Sequence, residues 1–306
     1  MPLFNLLREE NLSKRLLKRC WKAITMKLLK KSAEIFIPDN SDSTSALKRT
    51  TDLCIGAHHD DLEIMAYSQI ANCFGKENHH FTGVVVTDGA GSPRSGVYAD
   101  YTDEEMKKVR IIEQKNAALI GRYSAQFLLS YPSKEVKNPK NQNLIDELKS
   151  IILNCSPNTL YTHNLADKHD THVALVMHVI RALREIPLNK RPNKIISLEV
   201  WRGLDWLSDE DKIVYDTSLY PNLSAALLGV FDSQISGGKR YDLAAQGRRL
   251  ANATFLASHF VNELESASYG IDITELVNSD KDPADFIAEA IEKFKNESLK
   301  MVSRFS

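Results

Sequence analysis

Short apolar runs recur along the chain, each followed by a longer stretch of helical periodicity. DLCIGA (52–57), TGVVVT (82–87), AQFLLSY (125–131), NTLYTH (158–163) and KIISLEV (194–200) read as strands. Between them, LEIMAYSQIANCF (62–74), DEEMKKVRIIEQKNAALIGRY (103–123), NLIDELKSIILNC (143–155) and HDTHVALVMHVIRALREI (169–186) read as helices. Strands that alternate with helices of roughly ten to twenty residues build βαβ units and a parallel sheet covered on both faces. An unbroken apolar run such as VVV fits burial on both sides. The expected fold is therefore α/β, a Rossmann-like three-layer α/β/α sandwich with a mostly parallel sheet. At 306 residues the chain can bury a sizeable core. From about residue 236 it turns more helical, with YDLAAQGRRLANATFLASHFVNEL (241–264) the clearest case.

The first fifty residues differ in character. They hold eleven Lys and Arg against five Asp and Glu, a local net of +6, whereas the whole chain carries −1. Leu6, Leu16, Leu17, Trp21, Ile24, Met26, Leu28 and Leu29 recur at helical spacing. Residues 1–48 are thus expected to form a basic amphipathic helical extension, with one main domain at 49–306. A helix of this kind packs on its own domain with a solvated basic face. Alternatively, residues 1–31 dock a protein or an anionic membrane surface. The overall balance of charge gives no reason to expect nucleic acid. Cys20, Cys54, Cys73 and Cys155 have no C-x-x-C spacing and read as reduced thiols. With no apolar stretch of transmembrane length and no h-region, the expected location is cytoplasmic, in one reading peripheral to the membrane.

Two polar clusters interrupt this pattern, each directly after a strand. GAHHDDLEI (56–64) packs His58, His59, Asp60 and Asp61 together. HNLADKHDTHVAL (163–175) offers His163, Asp167, His169, Asp170 and His172. Either cluster alone has an ordinary explanation, since Asp60, Asp61 or Asp170 could simply cap a helix. In an open parallel sheet, however, ligand sites form at the carboxyl ends of strands. Two clusters at equivalent ends can face one crevice, where a divalent cation would offset the cost of desolvating carboxylates.

These residues also resemble a known family. GAHHDDLEI is similar to the A-H-P-D-D motif of the LmbE-like, or PIG-L, N-acetylglucosaminyl deacetylases, and DKHDTH (167–172) to that family's D-x-H-x-D-H segment. VVVTDGAG (84–91) and RIIEQKNAALIG (110–121) resemble the strand and glycine turn and the R-x-x-E helix between them. The likeness spans about residues 50 to 235. It implies that His58, Asp61 and His172 coordinate one zinc ion, with another divalent metal as the alternative. It further implies Asp60 as general base, His169 as the histidine that steadies charge on the substrate carbonyl, and Arg110 as a substrate contact. For Arg110 a structural bridge to Glu113 is the competing reading.

Two positions depart from the family pattern. His59 replaces the usual proline, and Thr171 replaces the aspartate that usually precedes the last ligand histidine. Either Asp170 substitutes for that aspartate or His169 is less readily protonated. Zinc with two His and one Asp leaves an open position for water, and no G-x-S-x-G elbow offers a competing nucleophile.

The expected function is a zinc-dependent hydrolase that removes acetyl from an N-acetylated sugar or sugar conjugate, with Asp60 accepting the proton of the attacking water. The alternatives are a metal-dependent hydrolase of another small amide and a non-catalytic zinc-stabilised binding protein. The loop GAGSPRSGVYADYT (89–102), with Arg94, and EVWRGLDW (199–206), with Trp201, are the expected substrate contacts. The oligomeric state is not encoded in any visible pattern.

Overall fold

A computed structural model describes residues 26–257 and 259–306. They form one eight-stranded sheet in the order β1-β4-β3-β2-β5-β6-β8-β7. The strands are β1 Glu34–Phe36, β2 Asp52–Gly56, β3 Phe81–Thr87, β4 Ala125–Tyr131, β5 Thr159–His163, β6 Lys194–Leu198, β7 Ile213–Asp216 and β8 Ala267–Asp272. β4, β3, β2, β5 and β6 run parallel, while β1, β8 and β7 join antiparallel at the two sides. The five central strands are the five apolar runs of the sequence.

Alternate residues of each central strand enter opposite cores. Leu53, Ile55, Val84, Val86, Phe127 and Leu129 face the helices Gln142–Cys155 and Asp170–Arg184. Cys54, Val85 and Leu128 face the helices Tyr67–Cys73, Asp103–Ile120 and Pro221–Gly229. This is the α/β/α sandwich expected from the sequence. Each fully buried aliphatic or aromatic side chain contributes about 1.5–3 kcal/mol. Two-sided burial is what keeps a sequence such as VVV in a strand.

The N-terminal expectation changes. Helical structure does not run unbroken over residues 26–48, because Glu34–Phe36 pairs with β4 and, among the described residues of this stretch, only Ser43–Lys48 is helical. Ile35 packs on the main core, so this part of the extension belongs to the domain. Residues 1–25, which carry most of the proposed amphipathic helix and membrane or partner contact, lie outside the described residues. The 62–74 segment is two helices, Asp61–Met65 and Tyr67–Cys73, and the 241–264 segment ends its helix at Phe255. Among the described residues, no helix is long and apolar enough to cross a membrane.

Chain direction across the sheet places the site. From β2 the chain steps outward through β3 and β4, then returns to the other side of β2 for β5 and β6. β2 and β5 are hydrogen-bonded neighbours from Asp52↔Thr159 to Ile55↔Thr162. The order reverses between them, and loops leaving such a pair diverge and open a crevice. Both polar clusters leave from these two strands.

Candidate metal centre and active site

Three heteroatoms from the two loops meet at one point. His58 Nδ1 lies 3.2 Å from Asp61 Oδ2 and 3.0 Å from His172 Nε2, and His172 Nε2 lies 3.3 Å from Asp61 Oδ2. Donors bound to a tetrahedral zinc at about 2.0–2.1 Å stand about 3.3 Å apart. The three residues expected to hold a metal are therefore already at the spacing of one tetrahedral face. Asp61 is buried, and the imidazoles of His172, His163 and His58 outweigh its desolvation and hold its carboxyl well below the usual range. Burial opposes protonation of His172, but Asp61 and Asp167 overcome it and push its pKa up to about 9. The cluster thus gathers positive charge around one carboxylate, a charge that a bound cation would supply instead.

Two further histidines border these atoms, and metal-capable groupings also include His58–His169–His172 and Asp61–His163–His172. His163 is better read as a support than as a ligand. Its Nε2 accepts the Ala57 N–H at 2.9 Å, which commits the in-plane lone pair, and its ring stacks on His172 at 3.9 Å. Burial brings its pKa down to about 4. His169 stands at the cavity side, with ring centroids 4.8 Å from His58 and 4.6 Å from His172.

Asp167 ties the second loop together. Its Oδ1 accepts the His169 N–H at 3.0 Å and its Oδ2 the Trp201 N–H at 3.1 Å, while His172 Nδ1 lies 3.5 Å from Oδ2. A carboxylate behind a metal-binding imidazole fixes its orientation. At the departure from the family pattern, Thr171 is buried and Asp170 points outward to Lys137 at 3.2 Å. Asp170 stays 3.8 Å from His169 Nδ1, too far for a hydrogen bond. Burial and the neighbouring His58 and His172 push the pKa of His169 down. Of the two expected consequences of Thr171, the second describes this geometry: His169 is a weakly basic imidazole.

Asp60 sits beside the donors in a left-handed backbone conformation, φ +86°, at the start of helix Asp61–Met65. Aspartate and asparagine are among the few non-glycine residues that accept this conformation readily. Its Oδ2 accepts from Arg110 Nη2 at 3.1 Å. Burial raises its carboxyl to about 6, the Arg110 charge opposing.

Arg110 itself is buried on helix Asp103–Ile120, whose start is fixed by a capping box between Thr102 and Glu105. The guanidinium also binds the His59 carbonyl, Glu113 at 3.3 Å and Ser233 Oγ at 3.3 Å. Ser233 in turn donates its N–H and O–H to Glu113 at 2.6 and 2.7 Å. Arg110 therefore bridges to Glu113, as one reading had it, and also lines the cavity next to Asp60. Gly89 makes this approach feasible: at φ +78° a Cβ there would sit 3.0 Å from Arg110 Cβ and Cγ.

Above the donors opens a cavity of about 720 Å³, lined by His58, Asp60, Asp61, His169 and Trp201 among others. Trp201 thus lines the cavity, whereas Arg94 does not. Its guanidinium is spent on the Ala90 carbonyl at 2.7 Å and Asp103 at 2.6 Å, closing its own loop, and only Gly89, Gly91, Ser92 and Pro93 of that loop line the cavity. Trp206 is a core tryptophan, packed on the main cluster.

Several buried polar residues escaped the sequence reading. Glu63 accepts from Tyr123 at 2.7 Å and Gln114 at 2.8 Å, and Gln114 also accepts the Asp60 N–H at 3.3 Å. Arg249 donates to Ser224 and to the carbonyls of Glu63 and Ile64 at 2.7, 2.8 and 3.0 Å. Glu63 was visible only as a polar residue in an otherwise apolar helix face. Ser233 and Arg249 carried no signal, since Glu113 for the first and the Glu63 and Ile64 carbonyls for the second lie more than a hundred positions away.

The family model described as PIG-L: GlcNAc-PI de-N-acetylase matches residues 53–183, from β2 through helix Asp170–Arg184. The match covers less than half of the chain and is a likeness of this segment. All three converging donors lie within the matched segment, as do Asp60, Arg110 and His169. No curated protein matches the chain.

Among solved structures the fold is shared with three enzymes. N,N'-diacetylchitobiose deacetylase from Pyrococcus horikoshii is 13% identical, with a TM-score of 0.59 over 76% of this chain and 86% of that one. The 4-carboxy-2-hydroxymuconate hydratase GalB from Pseudomonas putida KT2440 is 16% identical, with a TM-score of 0.56 over 73% and 95%. The A40926 pseudoaglycone deacetylase Dbv21 is 15% identical, with a TM-score of 0.52 over 73% and 97%. At these identities the likeness is one of fold.

Proposed function

We propose that this protein is a metal-dependent N-deacetylase, with zinc as the cation, acting on an N-acetylated sugar or sugar conjugate. The observation that carries the reading is the convergence of His58 Nδ1, Asp61 Oδ2 and His172 Nε2 within 3.3 Å of one another beside an unligated carboxylate, Asp60. A structural zinc site is normally closed by four protein ligands, whereas three leave a position open toward the cavity. A divalent cation held there would supply Lewis acidity toward a water and an acyl carbonyl.

The chain's own groups do the rest. Asp60, near the donors and tuned by burial toward neutrality, accepts the proton of the attacking water and returns it to the departing amine. Arg110 orients that carboxyl, and Asp167 orients His172. His169, at the cavity side of the donors, places an imidazole N–H toward the developing oxyanion as a neutral hydrogen-bond donor. Trp201, 6.0 Å from His169, offers an aromatic face on which a sugar can rest.

The test is acetate release from N-acetylglucosamine, its glycosides and N,N'-diacetylchitobiose, with elemental analysis of the same protein. Acetate release that depends on the cation and on His172 is the expected result. A metal-loaded protein that releases no acetate from any of them overturns the reading. The same fold in a hydratase makes the identity of the product, rather than the fold, the deciding measurement.

A further inference from the structure

The helix Pro283–Ser303 outruns the domain that carries it. Phe286 and Ala290 pack on the main core, Lys293 pairs with Glu210 and Asp211 at 2.5 and 2.6 Å, and Glu297 accepts from Ser208 Oγ at 2.7 Å. Beyond Glu297, among the described residues, no hydrogen bond or ion pair ties the helix to the rest of the molecule. Its apolar side nevertheless continues. At 3.6 residues per turn, Ile287, Ile291, Phe294, Ser298, Met301 and, just past the last turn, Phe305 fall within about 40° of one line. That line runs beside the packed face rather than on it: Ile291, Met301 and Phe305 are 45, 54 and 85% exposed. Helices in proteins owe most of their stability to burying such a face, and this one lacks a cover among the described residues.

Two properties of the stripe name its occupant. The spacing, alternately four and three residues, is that of a coiled-coil seam, and it reads the same in both directions about Asn296. Laid antiparallel on a second copy, Ile287 meets the partner's Phe305, Ile291 the partner's Met301, and the bulky Phe294 the partner's small Ser298. The Ser298 hydroxyl already donates to the Phe294 carbonyl at 2.9 Å, so covering it strands no polar group.

Charge follows the same symmetry. Residues 283–292 carry three carboxylates and no cation, and residues 293–306 four cations and one carboxylate. That order suits the helix's own dipole, and antiparallel packing also sets each acidic half beside a basic one. An anionic bilayer would attract only the second half and repel the first.

We propose that a second copy of the chain docks on this stripe, the two helices antiparallel about a two-fold axis near Asn296. A seam about 27 Å long covers less than the roughly 1,200 Å² of a permanent interface, so the dimer is weak and concentration-dependent. The stripe lies outside the 53–183 segment, and the pairing is independent of the chemistry in the cavity.

The experiment is sedimentation velocity on the full chain from about 1 to 200 μM, bracketing a micromolar Kd. The wild type should pass from one chain to two across that range. Ile291→Lys/Met301→Lys alters exposed positions, so urea unfolding should be unchanged while association weakens at least about thirtyfold. Ile291→Glu/Met301→Lys tests direction: in an antiparallel seam each new carboxylate faces a new ammonium, and association should recover at least about threefold over the double lysine variant. Phe260→Lys/Val261→Lys, at exposed apolar positions elsewhere, should associate as the wild type does.

A wild type that stays a single chain throughout overturns the proposal, and uptake of that single chain by phosphatidylserine vesicles would assign the stripe to lipid. Dimers that survive Ile291→Lys/Met301→Lys, or that are lost in Phe260→Lys/Val261→Lys, place the interface elsewhere. Equal loss in both variants at positions 291 and 301 refutes the antiparallel register.

Discussion

Replacing Asp60 with asparagine isolates the proposed proton transfer from the architecture around it. The left-handed backbone at φ +86° is accessible to asparagine, whereas alanine would add about 1–2 kcal/mol of backbone strain. The new amide oxygen can still accept from Arg110, which lies 3.1 Å from Asp60 Oδ2. Since Asp60 is not among the converging donors, metal content should be unchanged. Losing a positioned base lowers the rate by about 10²–10⁴, which corresponds to about 3–5 kcal/mol of barrier. Weakening one charge-assisted hydrogen bond to buried Arg110 costs about 1–3 kcal/mol of stability, measurable by urea unfolding.

The wild type should also lose activity as pH falls through about 6, or lower once a dication stands beside the carboxylate, because the base must be ionised. That acidic limb should be absent from the residual activity of Asp60→Asn. The assay is acetate release at saturating substrate across pH 4.5–8, with metal measured on the same samples; the pH limits are set about 1.5 to 2 units either side of the expected midpoint. A fully metallated variant that keeps more than about a tenth of wild-type kcat would refute the role of Asp60, since it would undercut the lower bound for a positioned base.

Other perturbations reach the same neighbourhood. Burial raises the Glu63 carboxyl to about 7, above the 4.5 of an unfolded chain, so its contribution is intact below about 4.5 and lost as pH rises through about 7. The loss amounts to about 3 kcal/mol, and Glu63→Gln should match wild type in urea melts at pH 4.5 but exceed it at pH 8; parallel pH curves would refute this. Arg249→Met removes donors from Ser224 and the Glu63 and Ile64 carbonyls, and chemical denaturation should show a loss of about 2–4 kcal/mol. Stripping the cation with a chelator should abolish acetate release and lower Tm, zinc restoring both; at a thousandfold excess over Kd the stabilisation is about 4 kcal/mol, and an unmoved Tm would argue against a bound cation.

How far the chain could be read in advance follows from where each residue finds its partners. β2 to β6 were legible because both faces are covered, which writes them as continuous apolar runs. β1, β7 and β8 were not: β1 is three half-buried residues, β7 is IVYD at an edge, and β8 is broken by Gly270 where a Cβ would meet Ile196 at 2.9 Å. The two polar clusters could be paired from the sequence because each follows a strand and strand ends meet at a switch point, whereas the choice of His58, Asp61 and His172 within them rested on the family resemblance. Arg94 was misjudged because a loop arginine looks the same whether it faces a cavity or, as here, binds its own loop. Ser233 is 120 positions from Glu113, to which it donates, and nothing in local pattern joins them.

Because the donors straddle the seam between β2 and β5, neither half of the sheet owns the centre. A fragment ending after β4 would retain His58 and Asp61 without His172, and one beginning at β5 the reverse. Capture of a cation would therefore report that the two halves have docked in register: a slip by one residue along that seam would carry His172 about 3.3 Å away from His58 and Asp61. Ion uptake during refolding should coincide with this final union rather than with collapse of either half.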